Sequence, residues 1–179
     1  MQKTILTFGL ISGAISSVMM IATVPLAKHG SGSLVLGYTT IVLSLLLVFF
    51  GIRAYRDNQG NGQISFGKAF AVGISITVIS CLCYVITWEV LSVNFYPDFA
   101  DKYAAQVIEK AKASGASEAA LEAKIQEMNK FKQQYKNPFF RLAMTFIEPF
   151  PVGLVITLIS AGILRKKPEA THASLATSS

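Results

Sequence analysis

Apolar residues along this chain gather into four long runs. A longer amphipathic segment separates the third run from the fourth. The first run extends from about Thr4 to Ala27, where Pro25 and then Lys28, His29 and Gly30 end it. The second covers Leu34 to Ile52 and is closed by Arg53 and Arg56. The third covers about Ser65 to Val93, long enough to tilt or to project beyond lipid. The fourth covers Phe139 to Leu164 and stops at Arg165, Lys166 and Lys167. At about 1.5 Å per helical residue, each run can cross a hydrocarbon core of roughly 30 Å. The pattern predicts an all-α fold, a four-helix transmembrane bundle.

Between runs three and four the period changes. Phe99, Tyr103, Val107 and Ala111 recur every fourth residue after Pro97 and Asp98, a helix with one apolar stripe and an aspartate at its N-cap. Ser114, Gly115 and Ala116 break it. Ser117 caps a second helix, with Glu118 near its positive end and a stripe of Leu121, Ile125, Met128, Phe131 or Lys132, and Tyr135. Asn137 and Pro138 end it. An extracytoplasmic helical hairpin over residues 98–136 is expected, either a spacer between spans or an element that docks a partner or caps a pore. Residues 1–167 then form one membrane domain, and 168–179, small and polar, form a disordered cytoplasmic tail.

Composition sharpens this picture. Of 179 residues only 15% are charged and 52% are hydrophobic, well short of the charge a soluble domain carries. The net charge of +6 does not point to nucleic acid, because much of the basic excess flanks the apolar runs. Lys3, Arg53, Arg56, Lys68, Arg165, Lys166 and Lys167 fall on one side, and the opposite short loop holds only Lys28. Both termini are therefore expected in the cytoplasm. The first run follows a single Lys3, loosely like a signal peptide. It is too long for one, and Pro25, Leu26 and Ala27 fit a cleavage site poorly. Trp88, Phe95, Tyr96, Phe139 and Phe140 mark the outer interface, and Phe49, Phe50, Tyr55 and Phe66 the inner one.

Within the runs, small residues at four-residue spacing predict the packed faces. They are Gly9, Gly13 and Ser17 in the first; Ala69, Gly73 and Thr77, then Ser80 and Tyr84, in the third; and Gly153, Thr157 and Ala161 in the fourth. Two acids lie at or inside the apolar zone, Glu89 and the deeper Glu148, where a bare charge costs several kcal/mol unless paired, hydrated or protonated. Arg141 shares a helical face with Glu148 and can pair with either acid. Pro149 and Pro151 remove two amide donors, and each disfavours helical angles in its predecessor, so Glu148 and Phe150 are expected to be extended and the span kinked or broken. Broken spans line polar cavities in many transporters. Glu148, Glu89, Arg141, Tyr84 and Trp88 are thus the candidate polar chamber, set against a plain packing kink.

Other chemistry is thin. Cys81 and Cys83, two apart on a helix, point to different faces and read as small apolar residues. His29 and His172 lack ligand neighbours at zinc spacing. The glycine-rich stretch Asp57–Gln63 lacks the Gly-Lys-Ser/Thr of a phosphate loop, and no nucleophile elbow or His-Glu-x-x-His helix occurs. No enzyme, metal or cofactor is expected.

The span order, together with Gly51-Ile-Arg-Ala-Tyr-Arg-Asp57, Ile64-Ser-Phe-Gly67, Ala69-Phe70, Gly73, Tyr84-Val-Ile-Thr-Trp88, Tyr96-Pro-Asp-Phe99, Tyr103, Thr145-Phe-Ile-Glu-Pro-Phe-Pro-Val-Gly153 and Leu158-Ile-Ser-Ala161, resembles a small bacterial four-span family. That family is catalogued as a domain of unknown function and is frequent in Bacteroidetes. The resemblance covers about Thr4 to Lys167 and implies an inner-membrane location with no activity attached. Two functions compete: a non-enzymatic component that binds a membrane-protein partner or stabilises a complex, and a small transporter or channel component that would work as a homo-oligomer through its broken fourth span.

Overall fold

A span buried in lipid must satisfy its backbone hydrogen bonds internally, and the helix does this within one segment. The computed structural model describes residues 1–24 and 32–166, and these residues are helical almost throughout. The elements are α1 (Gln2–Thr23), α2 (Gly32–Leu45), α3 (Leu47–Gln59), α4 (Phe66–Asn94), α5 (Phe99–Ala113), α6 (Glu118–Tyr135), α7 (Pro138–Ile147) and α8 (Phe150–Leu164). Four segments are long and apolar enough to cross a membrane: Gln2–Thr23, Tyr38–Gln59, Phe66–Asn94 and Pro138–Leu164. The chain is a multi-pass membrane protein built as a helical bundle. The turn holding Lys28 and His29, and the tail holding Lys167 and His172, lie outside the described residues.

Two spans differ from expectation. The second does not stop at Ile52. It continues to Gln59, because Arg53 and Arg56 are good helix formers and both reach Asp57, at 3.6 and 2.7 Å. It is also interrupted at Leu46, where the Phe49 amide donates to the Leu46 carbonyl at 3.0 Å in a locally tightened turn. The fourth span is interrupted as expected, between α7 and α8, but its residues are not extended. Glu148 has φ −64° and ψ −58°, Pro149 has φ −81° and ψ −23°, and Phe150 opens α8. The amide of Gly153 bonds the Pro149 carbonyl at 3.0 Å and restarts the ladder at once. Packing on both flanks holds Glu148 in the helical region against its proline neighbour.

The bundle closes small residues against large ones. Lipid tails are as apolar as leucine, so close approach rather than water exclusion holds helices together. Gly9, Gly13, Ala69, Gly73, Thr77, Gly153, Thr157 and Ala161 are buried as the stripes predicted, while Ser17 and Tyr84 are only partly covered. A Cβ on Gly153 would lie 2.3 Å from Cγ2 of Thr77, and one on Gly73 would lie 2.8 Å from both Ile52 and Thr157, so neither position accepts a larger residue. The large partners come chiefly from the second span. Ile41, Leu45, Val48, Ile52 and Tyr55 are buried and follow the four-three alternation of a coiled-coil seam.

At one end of the bundle the Met1 amino group and Thr4 meet Gln59. There Ile64 and Lys166 exchange backbone bonds at 3.1 and 3.0 Å, the isolated bridge that ties the loop between α3 and α4 to the end of α8. Asn61 (φ 48°) and Gly62 (φ 77°) turn this loop. The hairpin occupies the other end. Its turn closes with two bonds, Ala116 amide to Ala111 carbonyl and Gly115 amide to Lys112 carbonyl, around Gly115 at φ 74°. This is the glycine C-cap that the Ser-Gly-Ala break implied. Ser117 caps α6 by accepting from the Ala120 amide at 3.3 Å. Asp98 does not cap α5 through its side chain; its carboxylate pairs with Lys102 one turn on.

Candidate functional site at the outer end of the bundle

The third span runs from the core to the hairpin and carries Tyr84, Trp88 and Glu89 on its outer third. The fourth span returns beside it and carries Arg141 and Glu148. Arg141 takes Glu89, not Glu148. Nε donates to Oε2 at 2.7 Å and a terminal guanidinium nitrogen donates to Oε1, a two-pronged clamp. The other terminal nitrogen reaches the Tyr135 carbonyl at 3.3 Å. The guanidinium also lies over the Tyr135 ring, 5.7 Å from its centroid. With Arg141 14% exposed and Glu89 29% exposed, the pair is sheltered without being sealed.

Trp88 donates its indole N–H to the Tyr135 hydroxyl at 2.8 Å. Around this bond the rings of Trp88, Phe99, Tyr103, Phe131, Tyr135 and Phe140 form one chain of contacts. Centroids lie 4.7 Å apart for Trp88 and Phe99, 5.4 Å for Phe131 and Tyr135, and 6.4 Å for Phe131 and Phe140. Such ring pairs add about 0.5–1.5 kcal/mol each beyond burial. The hairpin is thereby bolted to both outer spans. Lys132 and Asp101, 3.3 Å apart, tie its helices together, with Ala104 and Met128 buried between them. Burial pushes the Tyr135 hydroxyl above the ordinary phenol range, against the opposing pull of the Trp88 donor and the Arg141 charge.

Glu148 stands apart. Tyr84 donates to its Oε2 at 3.1 Å, and this is its one described hydrogen bond. Among the described residues it has no cation within ion-pair distance. The five candidates are therefore divided between two arrangements: a clamp of Glu89, Arg141 and Trp88 under the hairpin, and a Tyr84–Glu148 pair deeper on the flank. Nearby, an open apolar groove runs between α4 and α7, lined by Leu82, Val85, Ile86, Leu142, Ala143, Phe146 and Ile147. Both polar arrangements lie off this groove. No group of three or more His, Cys, Asp and Glu residues able to hold a metal occurs among the described residues.

A family described as "Protein of unknown function (DUF4199)" matches residues 7–166. The chain belongs to this family. No curated protein and no solved structure matches it. The DUF4199 match includes the hairpin, and it ends at Lys166, the residue that pairs with Ile64.

Sequence reasoning missed the polar knot in the bundle centre. Ser12 donates to the Ser44 carbonyl at 2.8 Å and meets the Ser80 hydroxyl at 2.9 Å. Ser16 bonds the Ser12 carbonyl at 2.7 Å and the Ser44 hydroxyl at 3.0 Å. Thr77 and Thr157 share a bond of 3.1 Å, and Thr87 reaches Ser17 at 2.7 Å. No described buried side-chain polar atom lacks a partner, and this knot joins helices to one another. The available signal was Ser12 and Ser16 beside Gly9 and Gly13, two adjacent columns of small residues where one had been drawn.

Proposed function

We propose that the protein is a non-enzymatic component of a bacterial inner membrane, with both termini cytoplasmic, that presents its outer hairpin to a membrane-protein partner. The observation that carries this reading is the way the hairpin is held. A spacer between two spans needs only to reach; this one is fixed by a two-pronged ion pair, an indole–phenol bond and a continuous set of rings. Such fixing removes conformational freedom before a partner arrives, which is how preorganised surfaces gain affinity. Arg53, Arg56, Lys68, Arg165 and Lys166 lie at the end opposite the hairpin, which supports the cytoplasmic side for the termini.

Photocrosslinking residues placed at Lys110 and Lys130 in intact cells test the reading. A reproducible protein adduct that disappears in Arg141→Ala, with the variant still inserted, is the expected result. Adducts to lipid alone would overturn it. An impermeant thiol reagent that labels Gln59→Cys and spares Lys130→Cys in whole cells would overturn the orientation. The broken fourth span supports a second reading, a small oligomeric transporter or channel component. Ion flux in liposomes that depends on Glu148 would favour it.

A further inference from the structure

The acids of the four spans differ in their partners. Asp57 is met by Arg53 and Arg56, and Glu89 by Arg141. Lys68 sits at the inner end, 6.0 Å from the Tyr55 ring centroid. Among the described residues, Glu148 is the span acid met only by a neutral hydroxyl, from Tyr84. It lies ten residues into a span of 27, roughly 15 Å along the helix from Pro138 and so not far from mid-membrane. It is also exposed on the outside of the bundle. A carboxylate facing hydrocarbon at that depth costs several kcal/mol.

Its neighbours on the helix surface supply the second observation. Met144, Glu148, Pro151, Val155 and Leu158 are all exposed, and they follow one another at intervals of four, three, four and three. That is the heptad alternation of a helix seam, with one polar position among apolar ones. The buried residues Thr145, Pro149, Gly153, Thr157 and Ala161 lie on the other side of the same span. The fourth span thus has one face packed inside the bundle and an opposite face turned outward, on which Glu148 lies.

We propose that the outward seam of the fourth span docks a transmembrane helix of another protein, one carrying a lysine or arginine near its middle that pairs with Glu148. This deepens the partner-binding reading and rests on it. Charge complementarity selects the occupant. A second copy of this chain offers no match, because its cations in the described spans lie at the inner end or, as with Arg141, are already paired. A lipid ammonium sits at the headgroup level, too shallow for this carboxylate. A bare metal ion would find a single carboxylate.

The test uses the full chain in vesicles of phosphatidylcholine with a minor share of phosphatidylglycerol. Energy transfer is measured to a labelled Leu-Ala transmembrane peptide carrying one central Lys, and to the same peptide with a central Leu. A pairing worth 1–2 kcal/mol predicts association about tenfold tighter for the Lys peptide. Glu148→Gln keeps an acceptor for Tyr84 and should erase the difference without moving the unfolding midpoint. Tyr84→Phe keeps the acid, removes its one donor and should widen the difference. Equal association of the two peptides overturns the proposal, as does a Lys preference that survives Glu148→Gln. Self-association of the chain abolished by Glu148→Gln also overturns it, in favour of a second copy. Loss of the Lys preference with hairpin crosslinks intact removes the seam alone; loss of both removes the partner-binding reading.

Discussion

The half of this bundle toward the termini, here the inner half, and the half toward the hairpin, here the outer half, are held by different forces. Toward the termini, Val48, Ile52, Ala69, Val72, Ile76 and Ala161 are fully buried, and glycines admit neighbouring side chains at contact distance. Toward the hairpin the ties are polar and aromatic: Arg141 with Glu89 and Trp88 with Tyr135. The contrast follows from the solvent. Inside lipid the available gain is close packing, so small residues serve. Near the interface, charges and ring dipoles can be used at tolerable desolvation cost and fix orientation more sharply. The inner half is held by close packing, the outer half by a few directional bonds.

Breaking the inner half should have the largest effect. Gly153→Leu places atoms where Thr77 already lies, and a loss of about 3 kcal/mol is expected, read as a lower unfolding midpoint in detergent. Thr77→Ser removes the obstructing methyl, keeps the hydroxyl bond to Thr157 and should restore part of the loss. A full loss with no recovery would show that the face is not packed as described. Next comes the clamp. A double-mutant cycle of Glu89→Gln and Arg141→Gln should give a coupling of about 1–2 kcal/mol, with faster amide exchange confined to 99–135. Coupling near zero, or exchange spread through the spans, would erase the distinction between the halves.

Smaller still is Trp88→Phe, which keeps a ring and deletes the donor to Tyr135. About 1 kcal/mol of hairpin protection should be lost, the net value of one hydrogen bond, with the spans unchanged. The smallest effect is alkaline. With the folded Tyr135 hydroxyl raised, the unfolded chain releases this proton first. Stability should therefore decline as pH climbs past about 10, the unfolded phenol value, and stop declining above the folded value. Tyr135→Phe should flatten that decline; an unchanged profile would assign it elsewhere.

The sequence carried the spans, the hairpin and its glycine turn, because each depends on local pattern: run length, a change of period, a Ser-Gly-Ala break. It carried the small-residue faces for the same reason. It did not reveal that Ile41, Leu45, Val48 and Ile52 form the large side of the core, since a span apolar all round hides which of its faces is inward. The choice of Arg141 between two acids was also hidden. It depends on how the third and fourth spans are set against each other, which no spacing within one helix encodes. The expected single chamber became two arrangements for that reason. The proline rule failed at Glu148 because it describes a residue free to relax, and here flanking helices fix the backbone.

The bridge between Ile64 and Lys166 joins residues about a hundred positions apart, one between the second and third spans and one following the fourth. During synthesis the first of these has long left the ribosome before the second is made. The half opposite the hairpin must therefore wait, unlatched, until the hairpin and the fourth span have been made.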